Sequence, residues 1–443
     1  FDAVTVSSGD TLDLNGQRAE FSGVLQNSGA IKSTGGGLII ADDNIKHSGS
    51  MEGMHDGDVN VIVNGGTAHD WRLGAADGAA PWCRHLLTNG TVQVTDDVGR
   101  TDGTQYYNPE SIIVGSGTLT NTTNVHYVKD MTIATGATFT PSHSSVTCGI
   151  SGDFTTSGGL IGKSAIDLNG SDEYVASAVY NDDRSVNDSA DYTIELWFKR
   201  TETSGIETLF DLAHTSDSGS SFTGQSRSSA YMDANGVIYW DTRTGGGTLC
   251  ARPQSSAGFD DSKWHHAAFV HKGSAGAHTG TYSTGAKEIW VDGKLEARVL
   301  GGDTTTDAGS SVASGMGYDQ NKTVIFNVGR TVVSGVQSFF TGNIDEIRMW
   351  SDARTQAEIR DNMFSEVAVD SANLRHQYSF NEGTGSAVED TATSTTGEAH
   401  LEVDLVTNDG SGAATDLWAG AGTFTYGTST LNMTGDGTMN IPA

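Results

Sequence analysis

The sequence predicts an all-β protein, and three observations support this prediction. The chain of 443 residues contains 57 glycines and only five prolines, a composition typical of many short strands joined by turns. Apolar and polar residues alternate with a period of two in several segments, for example over residues 192–199. Short phrases bounded by Gly, Asn or Asp also recur through residues 1–160, and each is typical of one strand with its turn.

Residues 1–160 are expected to form a β-rich strand-repeat domain. They contain recurring phrases such as VSSGDTLDLNG, LQNSGAIKSTGG and IATGATFT. The spacing of these phrases is irregular, so the sequence favours either a β-sandwich or an irregular, solenoid-like stack of short strands. It leaves open whether this region forms one domain or two.

Residues 161–370 contain five strand-like segments in a fixed order: AIDLNGSDEYV, DYTIELWFKR, KWHHAAFVH, KEIWVDGKL and FNVGR. In the second segment Tyr192, Ile194, Leu196 and Phe198 alternate with polar residues, which predicts a strand with one buried face. Asn-Gly at 235–236 and Asp-Gly at 292–293 are predicted to supply the positive-φ pairs that tight hairpins need.

A further strand is predicted over NIDEIRMW, residues 343–350. Ile347 and Met349 alternate there with Glu346 and Arg348, so we expect one buried face and one face in water. The same alternation would place the adjacent carboxylates of Asp345 and Glu346 on opposite faces.

A helix is predicted directly after this strand. Thr355 and Glu358 have the spacing of a capping box, in which each residue satisfies a free backbone donor of the other. Ile359 and Met363 then share one helical face.

Residues 371–443 are expected to form a C-terminal β segment. The phrase TFTYGTSTLNMTGDGTMNI, residues 423–441, resembles residues 1–160 in its composition and in its short strand-like phrases bounded by turn residues. This likeness favours a shared platform whose final strands come from the C-terminus. Residues 374–401 either add an edge strand to the preceding domain or begin a truncated second module.

The five segments, followed by the strand and capped helix of residues 343–363, resemble laminin-G-like and concanavalin A-like modules in order and approximate spacing. The resemblance covers about residues 160–365 and implies two curved antiparallel sheets packed face to face. The predicted fold is therefore a concanavalin A-like (laminin-G-like) β-sandwich jelly roll, flanked by the β-rich strand-repeat platform.

Charge, cysteine content and hydropathy exclude several classes of function. The formal net charge is -30, which disfavours nucleic acid and anionic membranes because binding to them needs clustered Lys and Arg. Cys83, Cys148 and Cys250 are widely spaced, so neither a zinc knuckle nor a disulfide scaffold is indicated. No stretch approaches the 18 or so consecutive apolar residues of a membrane helix, so we expect no membrane insertion.

The resemblance also implies a calcium site. Related jelly rolls often hold Ca²⁺ with the Asp of a phrase like IDE, and Asp345 stands at that position here. Ca²⁺ takes six to eight oxygen ligands, so a carboxylate with carbonyls and waters is chemically sufficient. Asp167 and Asp172 are candidates for additional ligands. The alternative is that Asp345 stabilises a strand end through hydrogen bonds.

Glycan binding would need exposed aromatic rings with polar neighbours. Trp197, Trp240 and Trp290 lie in predicted strands, where packing in the core is the simpler expectation. Tyr231 and Tyr239 flank the turn at 235–236, and the segment 214–227 is long and polar. His265 and His266 are adjacent in a predicted strand, so they point to opposite faces and cannot bind one metal ion together.

The motifs of common hydrolases are absent from the sequence. There is no ExDxE strand to flank a glycosidic bond at about 5 Å, and no GxSxG, HExxH or GxxxxGK[ST] phrase. The sequence therefore predicts that the protein is not an enzyme.

Two classes of function follow from these observations. The first is a structural and adhesive protein of an exposed surface. A virion component, such as a phage fibre, spike or capsid decoration protein, is favoured over a bacterial surface adhesin. Such a protein would act extracellularly or at the virion surface, as a homo-oligomer contacting a glycan or protein receptor and neighbouring subunits. The second is a secreted polysaccharide-acting enzyme that uses the jelly roll as an accessory binding module.

Overall fold

A computed structural model gives the structure of the chain over much of its length. It describes residues 1–33, 37–42, 45–47, 59–65, 70–71, 83–94, 110–121, 125–141, 147–177, 180–181, 191–202, 205–214, 227–243, 252–273, 286–300, 323–331, 338–393, 403–407, 412–413, 417–424, 430–433 and 439–440. These residues form two compact units. Unit 1 comprises residues 1–164, 360–365 and 419–443, and unit 2 comprises residues 165–359 and 366–418.

Unit 1 is a stack of short parallel strands. Its strands are β1 (Val4–Val6), β2 (Thr11–Asp13), β3 (Arg18–Phe21), β4 (Leu25–Asn27), β5 (Ala30–Lys32), β6 (Gly37–Ala41), β7 (Ile45–His47), β8 (Val59–Gly65), β9 (Asp70–Trp71), β10 (His85–Gly90), β11 (Val92–Val94), β12 (Ser111–Ser116), β13 (Thr118–Asn121), β14 (Val125–Val128), β15 (Asp130–Ala134), β16 (Thr138–Pro141), β17 (Thr147–Ile150), β18 (Phe154–Gly158), β35 (Thr423–Phe424), β36 (Thr430–Met433) and β37 (Met439–Asn440).

The pairing of these strands is that of a parallel β-solenoid. β1, β2 and β3 pair with β4, β5 and β6, so one coil stacks on the next. The longest sheet has the order β3-β6-β8-β10-β12-β15-β18-β37. The interior holds buried apolar side chains from successive coils, among them Phe21, Ile39, Leu86, Phe139 and Phe154. Of the two architectures that the sequence left open, the solenoid-like stack is the one observed.

The last coil of unit 1 is built from the C-terminal part of the chain. β35 pairs with β16, β36 with β17 and β37 with β18, all in parallel. The chain thus leaves the solenoid after β18, forms unit 2, and resumes the solenoid at β35. The pattern shared by residues 423–441 and residues 1–160 reflects this common solenoid.

Unit 2 is antiparallel and nearly all β, and its one helix among the described residues continues past residue 359 into the range of unit 1. Its elements are β19 (Ile166–Asn169), β20 (Glu173–Ser177), β21 (Tyr180–Asn181), β22 (Tyr192–Arg200), β23 (Glu207–His214), β24 (Arg227–Met232), β25 (Ile238–Arg243), β26 (His265–Lys272), β27 (Ala286–Val291), β28 (Lys294–Leu300), β29 (Thr323–Val328), β30 (Thr341–Trp350), α1 (Gln356–Asn362), β31 (Leu374–Tyr378), β32 (Ala387–Val388), β33 (Val403–Thr407) and β34 (Gly412–Ala413).

These strands form two sheets. Sheet I has the order β19-β30-β22-β26-β27-β28, with β31 beside β30, and sheet II has the order β25-β24-β23-β29-β20-β33-β32, with β21 beside β29 and β34 beside β33. Between them Phe269 makes edge contacts with Phe210 at 5.2 Å and with Trp240 at 5.8 Å, ring centroid to centroid. The predicted β-sandwich of two facing sheets is therefore confirmed. Residues 366–418 belong to this unit, whereas the sequence analysis ended the jelly roll at residue 370.

The capping box at the start of α1 is present. Glu358 Oε2 accepts the Thr355 backbone N–H at 2.8 Å, and Thr355 Oγ1 accepts the Glu358 N–H at 3.3 Å. Ile359 is buried in unit 2 against Ala268, Val270 and Trp290. The helix ends at Asn362, so Met363 lies in the turn that follows it, and the expectation that Ile359 and Met363 share a helical face was wrong.

The two predicted hairpins differ from each other. Asp292 and Gly293 both have positive φ, at 47° and 67°, and they form the expected two-residue turn between β27 and β28. Asn235 does not have positive φ, so the prediction of a positive-φ pair was wrong there. A five-residue loop joins β24 to β25 instead, and Asp233 Oδ1 organises it by accepting the N–H groups of Asn235 and Val237 at 2.9 and 3.0 Å.

The prediction that β30 keeps one face in water was also wrong. Glu346 and Arg348 are each 1% exposed. Thr193, Glu195 and Lys199 on β22 are buried as well. Charged side chains tolerate this burial because they pair with one another, which a period-two pattern read from one strand does not reveal.

Among the described residues, no helix is long and apolar enough to cross a membrane. Cys83 is a free, buried thiol, and burial raises its pKa above the ordinary range. The side chains of Cys148 and Cys250 lie outside the described part of the chain.

Candidate functional site

Asp345 lies in a β-bulge of β30, the strand between β19 and β22 in sheet I. The register of β22 and β30 shifts between the pairs Glu195–Arg348 and Trp197–Asp345, and Glu346 has a φ of 47°. Ile344 and Ile347, three residues apart, both face the core. The bulge therefore turns both Asp345 and Glu346 away from the core, and the prediction that their carboxylates lie on opposite faces was wrong.

The bulge is held by buried charges. Arg348 donates to Glu346 Oε2 from Nε at 3.1 Å and from Nη2 at 2.8 Å, and its Nη1 is 3.6 Å from Glu195 Oε1. Glu195 Oε1 also accepts the Trp350 indole N–H at 2.8 Å. Burial raises the pKa of Glu346, and Arg348 opposes that shift. These contacts identify the cluster as a structural anchor of sheet I.

The three proposed calcium ligands occupy different environments. Asp345 is fully buried, and its Oδ1 accepts the Glu346 N–H at 2.8 Å. Asp167 pairs with Asn343 across β19 and β30, and Asn343 pairs with Lys199, which puts Asp167 on the same outward face as Asp345. Asp172 accepts a hydrogen bond from the Asn169 amide at 2.8 Å in the turn after β19.

The charge of Lys199 affects whether a cation can bind beside Asp167. Burial raises the pKa of Asp167 and lowers the pKa of Lys199 to about 8, while each group opposes the shift of the other. The Lys199 ammonium is thus a positive charge already close to Asp167. No cluster of three or more His, Cys, Asp or Glu side chains suited to a metal occurs in the described ranges. A calcium ion at Asp345 would rely on this carboxylate with carbonyl and water oxygens.

The tryptophans considered for glycan contact are packed in the protein. Trp197 and Trp240 are 1% and 0% exposed, and Trp290 is 8% exposed. The tyrosines behave differently. Tyr231 and Tyr239, which are cross-strand neighbours on β24 and β25, are half-buried, and their rings stack with centroids 5.2 Å apart and planes 15° apart.

Arg252 completes this arrangement, and sequence reasoning missed it. Its Nη1 donates to the Tyr231 hydroxyl at 3.0 Å, and its guanidinium lies 5.2 Å from the Tyr239 ring centroid. Arg252 stands in an irregular segment beyond β25, where no pattern marks it; a bridge between Tyr239 and Gln254 brings this segment to the sheet edge. We call Tyr231, Tyr239 and Arg252 the tyrosine–arginine platform.

The platform is electrostatically balanced by a buried acid. Asp241 Oδ1 is 3.7 Å from Arg252 Nε, and Asp241 Oδ2 is 3.9 Å from Arg227 Nη2. Burial and the neighbouring Asp241 raise the pKa of Tyr231, although Arg252 opposes them, so the phenol stays protonated at neutral pH. The platform therefore offers two aromatic rings, hydroxyl groups and guanidinium N–H donors within one half-exposed edge of sheet II.

His265 and His266 point to opposite faces of β26 and have different surroundings. His265 Nδ1 is 2.8 Å from Asp292 Oδ2 and its Nε2 is 3.0 Å from Asp261 Oδ1. Burial alone would lower its pKa, but the two carboxylates outweigh burial and raise it to about 9. His266 lies on the other face, where burial lowers its pKa to about 4. The polar segment 215–226 lies outside the described residues.

Comparisons with known proteins identify the domain that carries this platform. The laminin G model of the concanavalin A-like lectin/glucanases superfamily matches residues 169–360, so unit 2 contains a laminin-G-like domain, as the sequence predicted. A comparison with curated proteins found no match.

Solved structures are similar to the chain at low identity. A candidate carbohydrate-binding protein from Bacteroides ovatus is 18% identical with a TM-score of 0.34, and the match covers 56% of this chain and 62% of that one. A pentraxin from Limulus polyphemus is 11% identical with a TM-score of 0.31, covering 55% and 94%. The CBM40 of a Ruminococcus gnavus sialidase, bound to sialyllactose, is 15% identical with a TM-score of 0.30, covering 46% and 98%. Likenesses this distant carry no conclusion about the ligand.

Proposed function

We propose that the protein is a non-catalytic structural and adhesive protein of an exposed surface, and that unit 2 binds glycans through the tyrosine–arginine platform. The observation that carries this proposal is the half-exposed stack of Tyr231 and Tyr239 beside Arg252. Sugars present apolar C–H faces to aromatic rings and hydroxyl groups to polar side chains, and the platform supplies both kinds of contact.

The contacts of the buried acids support a binding role over a hydrolytic one. Glu346 and Glu195 pair with Arg348, Asp241 lies between two arginines, and Asp211 accepts a hydrogen bond from Thr331 Oγ1 at 2.9 Å. A glycosidase needs two carboxyl groups about 5 to 10 Å apart on either side of a bound sugar. These acids instead serve hydrogen bonds and ion pairs within the protein.

The biological setting belongs to the same proposal. We favour a virion component, such as a phage fibre, spike or decoration protein, because Gly-, Ser- and Thr-rich strand repeats around a laminin-G-like module suit such exposed proteins. The charge of -30 suits solubility in saline surroundings. A bacterial surface adhesin is the alternative setting. Immunogold labelling of purified particles and of cell surfaces distinguishes a virion component from a bacterial adhesin. Light scattering of the full chain tests the proposed homo-oligomer.

Calcium binding at Asp345 is a further part of the proposal. The buried carboxylate of Asp345, with Asp167 on the same face of sheet I, supports a site in which backbone carbonyls and waters supply most of the oxygens. Asp172 is the weakest of the three ligands because it stabilises its own turn through Asn169.

We test the proposed function by probing a glycan array with the full chain, with and without EDTA. Every glycan that binds is then tested in a reducing-sugar assay. We expect binding without release of reducing sugar. Release would favour the secreted polysaccharide-acting enzyme, in which unit 2 is an accessory module. The absence of any binding would contradict the glycan-binding role.

A further inference from the structure

The segment of residues 252–256 adds a short edge to sheet II. Two backbone hydrogen bonds hold it beside β25, from the Trp240 N–H to the Pro253 carbonyl at 3.2 Å and from the Ser255 N–H to the Ile238 carbonyl at 2.9 Å. These bonds lie on either side of the antiparallel bridge between Tyr239 and Gln254. Facing residues that exchange no backbone hydrogen bond with each other are the ones whose side chains lie closest together. Gln254 is therefore a direct side-chain neighbour of Tyr239.

Gln254 extends the tyrosine–arginine platform by one position. Tyr231 faces Tyr239 across β24 and β25, and Tyr239 faces Gln254 across the bridge. Side chains that face each other across paired strands lie on the same side of a sheet, so the three side chains form one row with steps of about 5 Å. Arg252 stands two residues before Gln254 and contacts both tyrosines. A ligand that touches Tyr239 is thus within reach of Gln254 and Arg252.

The Gln254 side chain is available to a ligand from solvent. It is exposed, and its neighbours Tyr239 and Arg252 are each half-exposed. Its carboxamide makes no hydrogen bond to any residue that the structure describes. A ligand therefore reaches this side chain without any opening of the sheet, and it displaces only water from it.

The backbone that carries Gln254 is fixed from both sides. The Ile238 N–H of β25 donates to Ser255 Oγ at 2.8 Å. Ser256 donates to Glu296 Oε2 on β28 of sheet I, from its hydroxyl at 2.6 Å and from its N–H at 3.3 Å. Because this backbone is already ordered, only the side-chain torsions of Gln254 lose freedom when a ligand binds.

The chemistry of a carboxamide indicates what Gln254 recognises. Its oxygen accepts a hydrogen bond and its nitrogen donates one. Two hydroxyl groups on adjacent carbons of a sugar ring satisfy both ends at once, since one hydroxyl donates and the other accepts. An anionic group only accepts, so it would leave the carboxamide oxygen without a donor. Arg252 supplies N–H donors beside the same ring of Tyr239, and these serve the oxygens of the bound sugar.

We infer that Gln254 is the specificity-determining residue of the platform, and that its carboxamide selects a sugar ring with two free hydroxyl groups on adjacent carbons. This inference rests on the proposed glycan-binding function of the platform and names the chemical feature of the ligand that the platform requires. The selection acts on the hydroxyl pair, so it applies to sugars with or without an acidic group elsewhere on the ring.

Calorimetric titration of the full chain with paired probes tests the inference. The probes are cellohexaose, mannohexaose and hexagalacturonic acid, whose units all carry an adjacent pair of free hydroxyl groups, together with derivatives in which one hydroxyl of each pair is methylated. A glycan from the array that carries such a pair is used in the same way if it binds more tightly. The variant Gln254→Met keeps the length of the side chain and removes both polar ends. Gln26→Met is the matched control, since Gln26 is an exposed glutamine on β4 of unit 1.

We expect the parent glycan to bind the wild type and Gln26→Met alike, and to bind Gln254→Met about tenfold more weakly, because two hydrogen bonds are lost. The wild type should also prefer the parent glycan to its methylated derivative by about tenfold, and Gln254→Met should lose this preference. A merely structural role of Gln254 would lower the affinity for both glycans equally and leave the preference unchanged.

Wild-type affinity and preference in Gln254→Met would overturn the role of Gln254 while the platform stands. Binding only of glycans that lack an adjacent pair of free hydroxyl groups would overturn it as well. If the wild type binds no glycan of any kind, the proposed function itself fails.

Gln254→Ala provides a second test if Gln254→Met does not fold. The bridge to Tyr239 is formed by the backbone, so this variant keeps the edge of sheet II and removes only the exposed carboxamide. Loss of the preference for the parent glycan over its methylated derivative supports the inference, and an unchanged preference overturns it.

Discussion

Arg348 donates hydrogen bonds to Glu346 from two nitrogens, Nε at 3.1 Å and Nη2 at 2.8 Å. The two residues are two positions apart on β30. Glu346 lies in the β-bulge and has a φ of 47°, a conformation that is strained for a residue with a Cβ. The paired charges stabilise the bulge that turns both Asp345 and Glu346 away from the core.

Replacement of Arg348 tests this anchor. Arg348→Met should lower the free energy of unfolding by about 3–5 kcal/mol, because it leaves Glu346 and Glu195 buried without their cation. Urea denaturation measures the change. Lys294→Met is the control, since the Lys294–Glu296 pair at 2.7 Å has a half-exposed ammonium and should cost less than about 1 kcal/mol. Equal costs for the two variants would contradict a buried anchor.

His265 should make stability depend on pH in the alkaline range. Its pKa is raised to about 9 in the folded protein by Asp292 and Asp261, against an ordinary value of 6.5. The protonated form is therefore favoured by folding, so its contribution is complete below about pH 6.5 and is lost as the pH rises through about 9.

Urea unfolding of the wild type and His265→Gln at pH 6 to 10 measures this contribution. The wild type should lose up to about 3 kcal/mol more than the variant over this range. His266→Gln is a suitable control because burial lowers the pKa of His266 to about 4, so this imidazole is neutral throughout the range. Parallel pH profiles for the wild type and His265→Gln would rule out the proposed linkage.

Calcium should raise the melting temperature if Asp345 is a ligand. We expect added Ca²⁺, but not Mg²⁺, to stabilise the wild type, because Ca²⁺ accepts irregular oxygen ligation and Mg²⁺ demands a near-octahedral site. Asp345→Asn should abolish the shift, and Asp172→Asn should leave most of it. Differential scanning calorimetry provides the measurement, and a calcium shift that survives in Asp345→Asn would disprove this ligand.

Two glycines at the corners of the solenoid should differ in their tolerance of a side chain. Gly117 and Gly136 both have left-handed φ, at 68° and 71°, but a Cβ on Gly117 would lie 2.4 Å from the Gly90 carbonyl oxygen, whereas nothing lies within 4 Å of a Cβ on Gly136. Gly136→Ala should cost about 1–2 kcal/mol from backbone strain alone. Gly117→Ala should cost about 1–3 kcal/mol more, because the coils must move apart. Similar urea midpoints for both variants would contradict the close stacking of these coils.

Local features of the fold were predictable from the sequence. The capping box of Thr355 and Glu358 and the turn at Asp292 and Gly293 depend on residues within three positions of each other, and their patterns predicted them. The equally local pattern at Asn235 failed because Asp233 organises a longer loop there. The solenoid was only one of two alternatives, because parallel coils of unequal length leave no fixed period. The match between residues 423–441 and residues 1–160 was informative because both contribute to the same sheets.

The candidate site depended on contacts that the sequence does not display. Tyr231 and Tyr239 were visible as residues that flank a turn, but Arg252 reaches them from an irregular segment. The burial of Glu346 likewise follows from pairing with Arg348, and a polar residue in a period-two pattern is normally assigned to solvent.

Titration of the full chain with a glycan that it binds, before and after the double substitution Tyr231→Ala and Tyr239→Ala, tests the central claim most directly. Val369→Ser, at a residue that is 43% exposed in a different segment of unit 2, serves as the control. We predict that the double variant keeps its melting temperature within a few degrees and binds at least about tenfold more weakly, while Val369→Ser binds as the wild type does. Wild-type affinity in the double variant would contradict the assignment of glycan binding to the tyrosine–arginine platform.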